Sequence, residues 1–136
     1  MKRIFADTGY WTAVLNPHDA LHDKAKIVST SLGTAQIVTS EMVLTELLNY
    51  FAERGTKLRS AAVELVRSVQ ANPNCHIVPL TSVLFTAAFN LYAARSDKRW
   101  SLTDCASFEI MKNEGINDAL AHDKHFEQAG FAALLR

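Results

Sequence analysis

The sequence predicts an α/β domain: a mostly parallel central sheet of about five short strands, flanked by helices. Two observations carry that expectation. Apolar runs of four to six residues alternate along the chain with longer segments whose apolar residues recur at helical spacing. The short runs are also apolar at consecutive positions rather than strictly alternating, the pattern expected when both faces of a strand are covered.

Each element has its own local reason. Residues 3–6, RIFA, form the first strand and end at Asp7. DTGYWTAVL reads as a strand end feeding a helix that Asn16-Pro17 closes. Residues 18–32 read as a second, more polar helix with Gly33 as its stop. AQIVTS, 35–40, is a short strand. Ser40 is placed to cap helix 41–54, where Val43, Leu44, Leu47, Leu48 and Phe51 recur at helical spacing before Gly55. Residues 57–71 form a further helix with Ala61, Ala62, Leu65, Val66 and Val69 on one side. CHIVPL, 75–80, is a strand, and helix 81–96 carries Val83, Leu84, Ala87, Ala88, Leu91 and Tyr92. RSDKRW is a charged connector. Helix 102–114 follows and stops at Gly115, and DALA, 118–121, is a strand. A short turn or helix leads through Gly130 to a last apolar stretch, FAALL. No repeat, low-complexity segment or linker interrupts this series, so residues 1–136 read as one domain.

The bulk properties exclude several function classes. A chain of 136 residues, 49% hydrophobic and 21% charged, is ordinary for a globular protein and long enough to bury a real core. No apolar run approaches the ~20 residues needed to span a bilayer. The start, MKRIFADTG, has only a three-residue apolar run before Asp7, so it does not read as a signal peptide and a cytoplasmic location is expected. Cys75 and Cys105 lie far apart without metal-type spacing and are expected to be free thiols. Fourteen basic and fourteen acidic residues cancel. That balance argues against indiscriminate coating of polyanions, and leaves any nucleic-acid binding to local geometry or to a metal.

In open parallel α/β sheets, ligands bind beyond the carboxyl ends of the strands. Four chain segments offer carboxylates there. Asp7 follows the first strand, Glu41 and Glu46 lie in the helix after the second, Asp104 opens the helix at 102, and Asp123 follows DALA. Each has a purely structural reading as well. An acid near a helix N-terminus is stabilising in its own right by ~0.3–1 kcal/mol. Ser101-x-x-Asp104 resembles a capping box with Asp in the Glu position. Asp7 and Asp123 fit turn or cap positions, and Glu46 fits a solvated helix position off the Val43/Leu47/Phe51 stripe. Periodicity does not choose between Glu41 and Glu46. Taken together the acids mean more. Caps need not converge, whereas carboxylates at one end of adjacent strands repel unless a cation joins them or some take up protons. Several carboxylates without a His/Cys set make a hard-cation site, suited to Mg²⁺ or Mn²⁺ rather than Zn²⁺.

Other constellations are weaker. His122 and His125 flank Asp123, but histidines at i,i+3 without a matching acid motif read as surface residues. Trp11 and Trp100 read as packing residues. There is no G-x-G-x-x-G, P-loop or G-x-S-x-G.

On these residues the chain resembles PIN-domain proteins, in particular the VapC-type toxins of bacterial and archaeal toxin–antitoxin pairs, along its whole length. FADTGYW resembles the opening strand–Asp–Thr/Ser motif. TSEMVLTELLNYF resembles the following helix, whose metal-binding Glu after a Leu-Thr or similar pair maps to Glu46, not Glu41. WSLTDCASFEIMKNEGI and DALAHDKHFEQAGF resemble the third and terminal acidic motifs, giving Asp104 and Asp123. The resemblance implies a five-stranded parallel sheet, one or two Mg²⁺ or Mn²⁺ ions, RNA cleavage, a cognate antitoxin and a homodimer. Asp7, Glu46, Asp104 and Asp123 are then the expected catalytic metal ligands. In-line attack by an activated water would leave a 5′-phosphate and a 3′-hydroxyl, with no covalent intermediate. AHD stands where relatives often have TTD or TSD, so His122 replaces a small hydroxyl residue, while Thr8 keeps its hydroxyl beside Asp7. Both are expected next to the ligands. Arg95, Lys98 and Arg99, just before Asp104, are candidate RNA contacts.

Competing classes remain at this level. A haloacid-dehalogenase-type phosphatase wants a second Asp two residues after Asp7, where this chain has Gly9. A housekeeping RNA-processing nuclease, or an inert PIN-fold binding module, would share the same scaffold.

Overall fold

Arg3–Ala6 (β1) is the middle strand of a five-stranded, all-parallel sheet in a computed structural model that covers residues 1–136. On one side lie Gln36–Ser40 (β2) and then Cys75–Val78 (β3). On the other lie Asp118–Leu120 (β4) and the two-residue edge Ala132–Ala133 (β5). The order is therefore β3-β2-β1-β4-β5. β1 sets Ile4 beside Ile37 of β2 and Ala6 beside Leu120 of β4.

Seven helices flank the sheet: Thr8–Leu15 (α1), His22–Ser31 (α2), Glu41–Phe51 (α3), Thr56–Ala71 (α4), Ser82–Ala94 (α5), Leu102–Glu114 (α6) and Lys124–Gln128 (α7). The fold class and strand count match the sequence expectation. The boundaries differ where side chains cut a helix short. Residues 18–21 are a turn, because Asp19 Oδ1 accepts the Leu21 N–H at 2.8 Å and fixes an Asx-type bend. α3 ends at Phe51, three residues before the expected end, and β3 ends before Pro79.

Ile4, Phe5 and Ala6 of β1 are wholly buried, which is why their apolar run is continuous. α6 is the inner helix, with Thr103 through Phe108 buried together with Ile110 and Met111. Phe108 makes edge-to-face contacts of 5.0 Å with both Trp100 and Phe126. Trp11 and Trp100 are buried packing residues, as expected. Both cysteines are free; Cys105 is buried and Cys75 half-buried. No helix is long and apolar enough to cross a membrane.

The connections decide where a site can form. From β1 the chain steps outward through β2 to β3, then crosses back through α5 and α6 to β4 on the far side of β1. The winding direction thus reverses between β1 and β4, and a crevice opens at the carboxyl ends of strands at such a switch point. The Asp7 N–H donates to Leu120 O at 3.2 Å and ties the two strand ends there. α3 starts directly after β2, and its N-cap Ser40 Oγ accepts the Val43 N–H at 3.0 Å, a cap worth about 1 kcal/mol.

Candidate active site

At the switch point lies an open cleft of about 500 Å³. Asp7, Glu46, Asp104 and Asp123 all line it, as do Thr8, His122 and Arg99. The four acids come from four separate pieces of chain: the end of β1, the second turn of α3, the first turn of α6, and the N-cap of α7. Glu41 does not line the cleft. Its carboxylate accepts the Leu80 N–H at 2.7 Å, so the choice left open by periodicity falls on Glu46.

Asp7 occupies the N-cap position of α1, yet its carboxylate makes no capping bond and enters no ion pair. Desolvation, then the neighbouring carboxylates of Asp104, Glu46 and Asp123, push it up to about 7, with the Thr8 backbone N–H opposing. Beside it the buried Thr8 hydroxyl has no hydrogen-bond partner. Buried polar groups are rarely left so.

Asp104 does two things at once. The capping box read from the sequence is formed. The Ser101 N–H donates to Asp104 Oδ2 and the Asp104 N–H donates to Ser101 Oγ, both at 3.0 Å. The same buried carboxylate faces the cleft. Desolvation raises its pKa, while the Ser101 N–H and His125 hold it down. Asp123 caps α7, accepting the His125 N–H at 3.0 Å. Capping and convergence are thus compatible, because helix N-termini and strand carboxyl ends meet at this edge.

His125 departs from the sequence reading. It is not a free surface residue: its side chain is 17% exposed and its Nδ1 lies between two acids. It donates to Asp104 Oδ2 at 3.1 Å and stands 3.3 Å from Asp123 Oδ1. Only the packing of α7 on α6 brings it there, and i,i+3 spacing with His122 carries no such signal. The His122 Nδ1 meets Leu135 O at 2.9 Å, anchoring that ring to the last residues of the chain. Tyr50 and Asp19 also line the cleft and were not singled out from the sequence. Tyr50 stands one helical turn after Glu46, a spacing that could have marked it.

The candidate RNA contacts separate. Arg99 lines the cleft itself. Lys98 and Arg95 line an adjoining depression that shares Arg99 and Ser101 with it. Arg95 is engaged: its Nε and Nη2 donate to the two Asp97 oxygens at 3.0 Å each, and its guanidinium lies 5.0 Å from the Trp100 ring centre.

The donor set suits a hard divalent cation. Five carboxylates, the four predicted acids and Asp19, share the cleft with one arginine and two imidazoles, and no cysteine lines it. No three His, Cys, Asp or Glu side chains are gathered into a ready-made cage. An ion held on this open rim therefore has to draw side chains inward or keep several waters, as Mg²⁺ does readily.

Comparison with known proteins agrees with this geometry. The sequence model of the PIN domain matches residues 4–132. The 23S rRNA-specific endonuclease VapC20 of Mycobacterium tuberculosis, in strains CDC 1551 and H37Rv, is 33% identical over 131 residues, covering 94% of this chain and 95% of its own. The crystal structure of Mycobacterium tuberculosis VapC20, described as a Sarcin-Ricin loop cleaving toxin, matches with a TM-score of 0.85 at 29% identity, over 95% of this chain and 96% of that one. FitAcB from Neisseria gonorrhoeae shares the fold at a TM-score of 0.66 and 19% identity, over 96% of this chain and 95% of that one. A family match from the first strand to the last, on a scaffold that gathers four acids at its switch point, means that the chain belongs to the PIN domain family, as a VapC-like member.

Proposed function

We propose that this VapC-like toxin endoribonuclease cuts RNA with Mg²⁺ or Mn²⁺ held by Asp7, Glu46, Asp104 and Asp123, and that its target class is 23S rRNA. The observation that carries the metal reading is the convergence of Glu46, Asp104 and Asp123 on Asp7, whose carboxylate enters no ion pair. The target class rests on the relative that acts on 23S rRNA at 33% identity over 94% of this chain.

The chain's own residues divide the work. Asp7 and Asp104 hold the floor of the cleft, Glu46 and Asp123 its rim, and together they orient the scissile phosphate opposite the strand ends. His125, bonded through Nδ1 to Asp104 Oδ2 and 3.3 Å from Asp123 Oδ1, keeps the two acids in register. Arg99, in the cleft, and Lys98 beside it neutralise flanking phosphates. Arg95, tied to Asp97, orders the connector more than it contacts RNA. Bound by the carboxylates, a hard divalent cation supplies the positive charge the cleft lacks and the polarisation that activates a water.

Purified protein incubated with 23S rRNA is expected to give discrete cuts in Mg²⁺ or Mn²⁺ and none in EDTA, with mapped ends carrying a 5′-phosphate and a 3′-hydroxyl. Cleavage that persists in EDTA, or ends bearing a 2′,3′-cyclic phosphate, would overturn the metal reading.

The partners are RNA and a cognate antitoxin. We infer that a homodimer would form through the outer face of α5, a reading supported by the exposure of Val83, Phe85, Phe89 and Tyr92 and the stacking of the two Phe rings 6.4 Å apart. Phe89→Asp is expected to shift sedimentation from dimer to monomer. A wild type that sediments as a monomer at micromolar concentration rules that assignment out.

A further inference from the structure

The cleft continues past Glu46. It meets a second depression of about 540 Å³, lined by Asn49, Tyr50, Ala52, Glu53 and Arg54. Tyr50 belongs to both. It is the only tyrosine, phenylalanine or tryptophan on the cleft wall, and it is 43% exposed.

Its ring is held ready. The Arg54 guanidinium lies 3.8 Å from the ring centre, and Arg54 Nε donates to Tyr50 O at 2.9 Å. The fully buried Phe51 packs against it edge-to-face at 5.0 Å. A planar cation stacked on an aromatic ring in an exposed depression is a sequence-tolerant platform for a nucleobase. The charges differ on the two sides of the cleft. Lys98 and Arg99 line the depression on the α6 side, where Arg95 is tied to Asp97, and the two remaining cations suit phosphates. Glu53 balances Arg54 on the α3 side, which suits a neutral base.

We propose that Tyr50 and Arg54 form a nucleotide-binding subsite in which the base next to the scissile phosphate stacks on this pair. The inference rests on the ribonuclease reading above and adds to it a base-stacking subsite. The base that stacks there presents its face to the platform, as an unpaired nucleotide can.

The test uses a short RNA spanning the site that the wild type cuts in Mn²⁺, and the same RNA made abasic at either neighbour of the cut. Tyr50→Leu is expected to raise KM roughly 5- to 150-fold, the range that stacking of one base is worth, with kcat and the Mn²⁺-induced melting shift held. Tyr50→Phe should restore KM. One abasic substitution should cost the wild type a comparable factor and cost Tyr50→Leu little more. The subsite is wrong if Tyr50→Leu keeps the wild-type KM, or if it loses kcat and the melting shift together, which would mark a structural effect on Glu46. It is also wrong if every abasic RNA costs both proteins equally. A wild type that cuts no RNA in Mn²⁺ overturns the ribonuclease reading, and the subsite with it.

Discussion

Asp7→Asn is expected to abolish RNA cleavage and, at the same time, to raise the melting temperature of the metal-free protein at pH 8. The two effects have one cause. The Asp7 carboxyl sits among three other acids, and its pKa is raised from 3.8 to about 7 in the folded protein. A carboxyl whose folded pKa lies above its unfolded value favours the native state only while protonated. Stability from this group is therefore present below about pH 4, declines as pH rises, and is lost above about pH 7. Asparagine mimics the protonated form at every pH. The melting advantage of the variant should be absent near pH 4 and largest at pH 8. Mn²⁺ should reverse the ranking by stabilising only the wild type, since an ion at 100 times its dissociation constant adds ~2.7 kcal/mol. Cleavage should fall by at least the roughly 10²–10³-fold that one preorganised electrostatic group is worth. Cleavage within tenfold of wild type, or a variant that melts lower at pH 8 without metal, would count against Asp7 as a ligand.

Asp104→Asn carries the second large effect and separates two roles that the structure superimposes. The amide oxygen can still accept the Ser101 N–H, so the capping box survives in part. The same oxygen position accepts from His125, and the neutral amide can keep that bond while losing the negative charge. The expected cost in stability is about 1 kcal/mol, that of a weakened cap. The expected loss of cleavage is again roughly 10²–10³-fold, with weaker Mn²⁺ binding by calorimetry. A well-folded variant that cleaves like wild type would mean that Asp104 only caps α6.

The sequence made the scaffold legible where local chemistry and fold agreed. Ser40 and Gly115 mark helix ends by their own geometry, the one accepting the Val43 N–H and the other turning at φ +68°. Asp7, Asp104 and Asp123 could be found because each directly follows a strand or begins a helix, positions that share one edge in any parallel sheet. Glu46 could not be chosen over Glu41 by periodicity. The backbone at Leu80, 39 residues from Glu41, claims that alternative. His125 was missed because its partner Asp104 lies 21 residues away and reaches it only through helix packing. Tyr50 was not singled out, because it lies off the Val43/Leu47/Phe51 stripe, and the structure shows its ring at the surface beside a depression. Of the apolar residues noted on α5, Leu84 and Ala88 are buried while Val83 and Tyr92 face outward, because a sequence shows how apolar a face is and not which neighbour covers it.

The reversal of winding between β1 and β4 also sets when activity can arise. Asp7 and Glu46 sit on elements near the start of the chain, whereas Asp104 and Asp123 come into place only once α6 and β4 have docked. Those contacts join residues more than a hundred positions apart along the chain, such as Phe5 with Ala119, and non-local contacts of this kind form late. A partly folded molecule thus holds half a cleft, with two of the four converging acids in place. All four acids share one cleft only once β4 lies beside β1, so the site is a property of the closed sheet and of no shorter stretch of the chain.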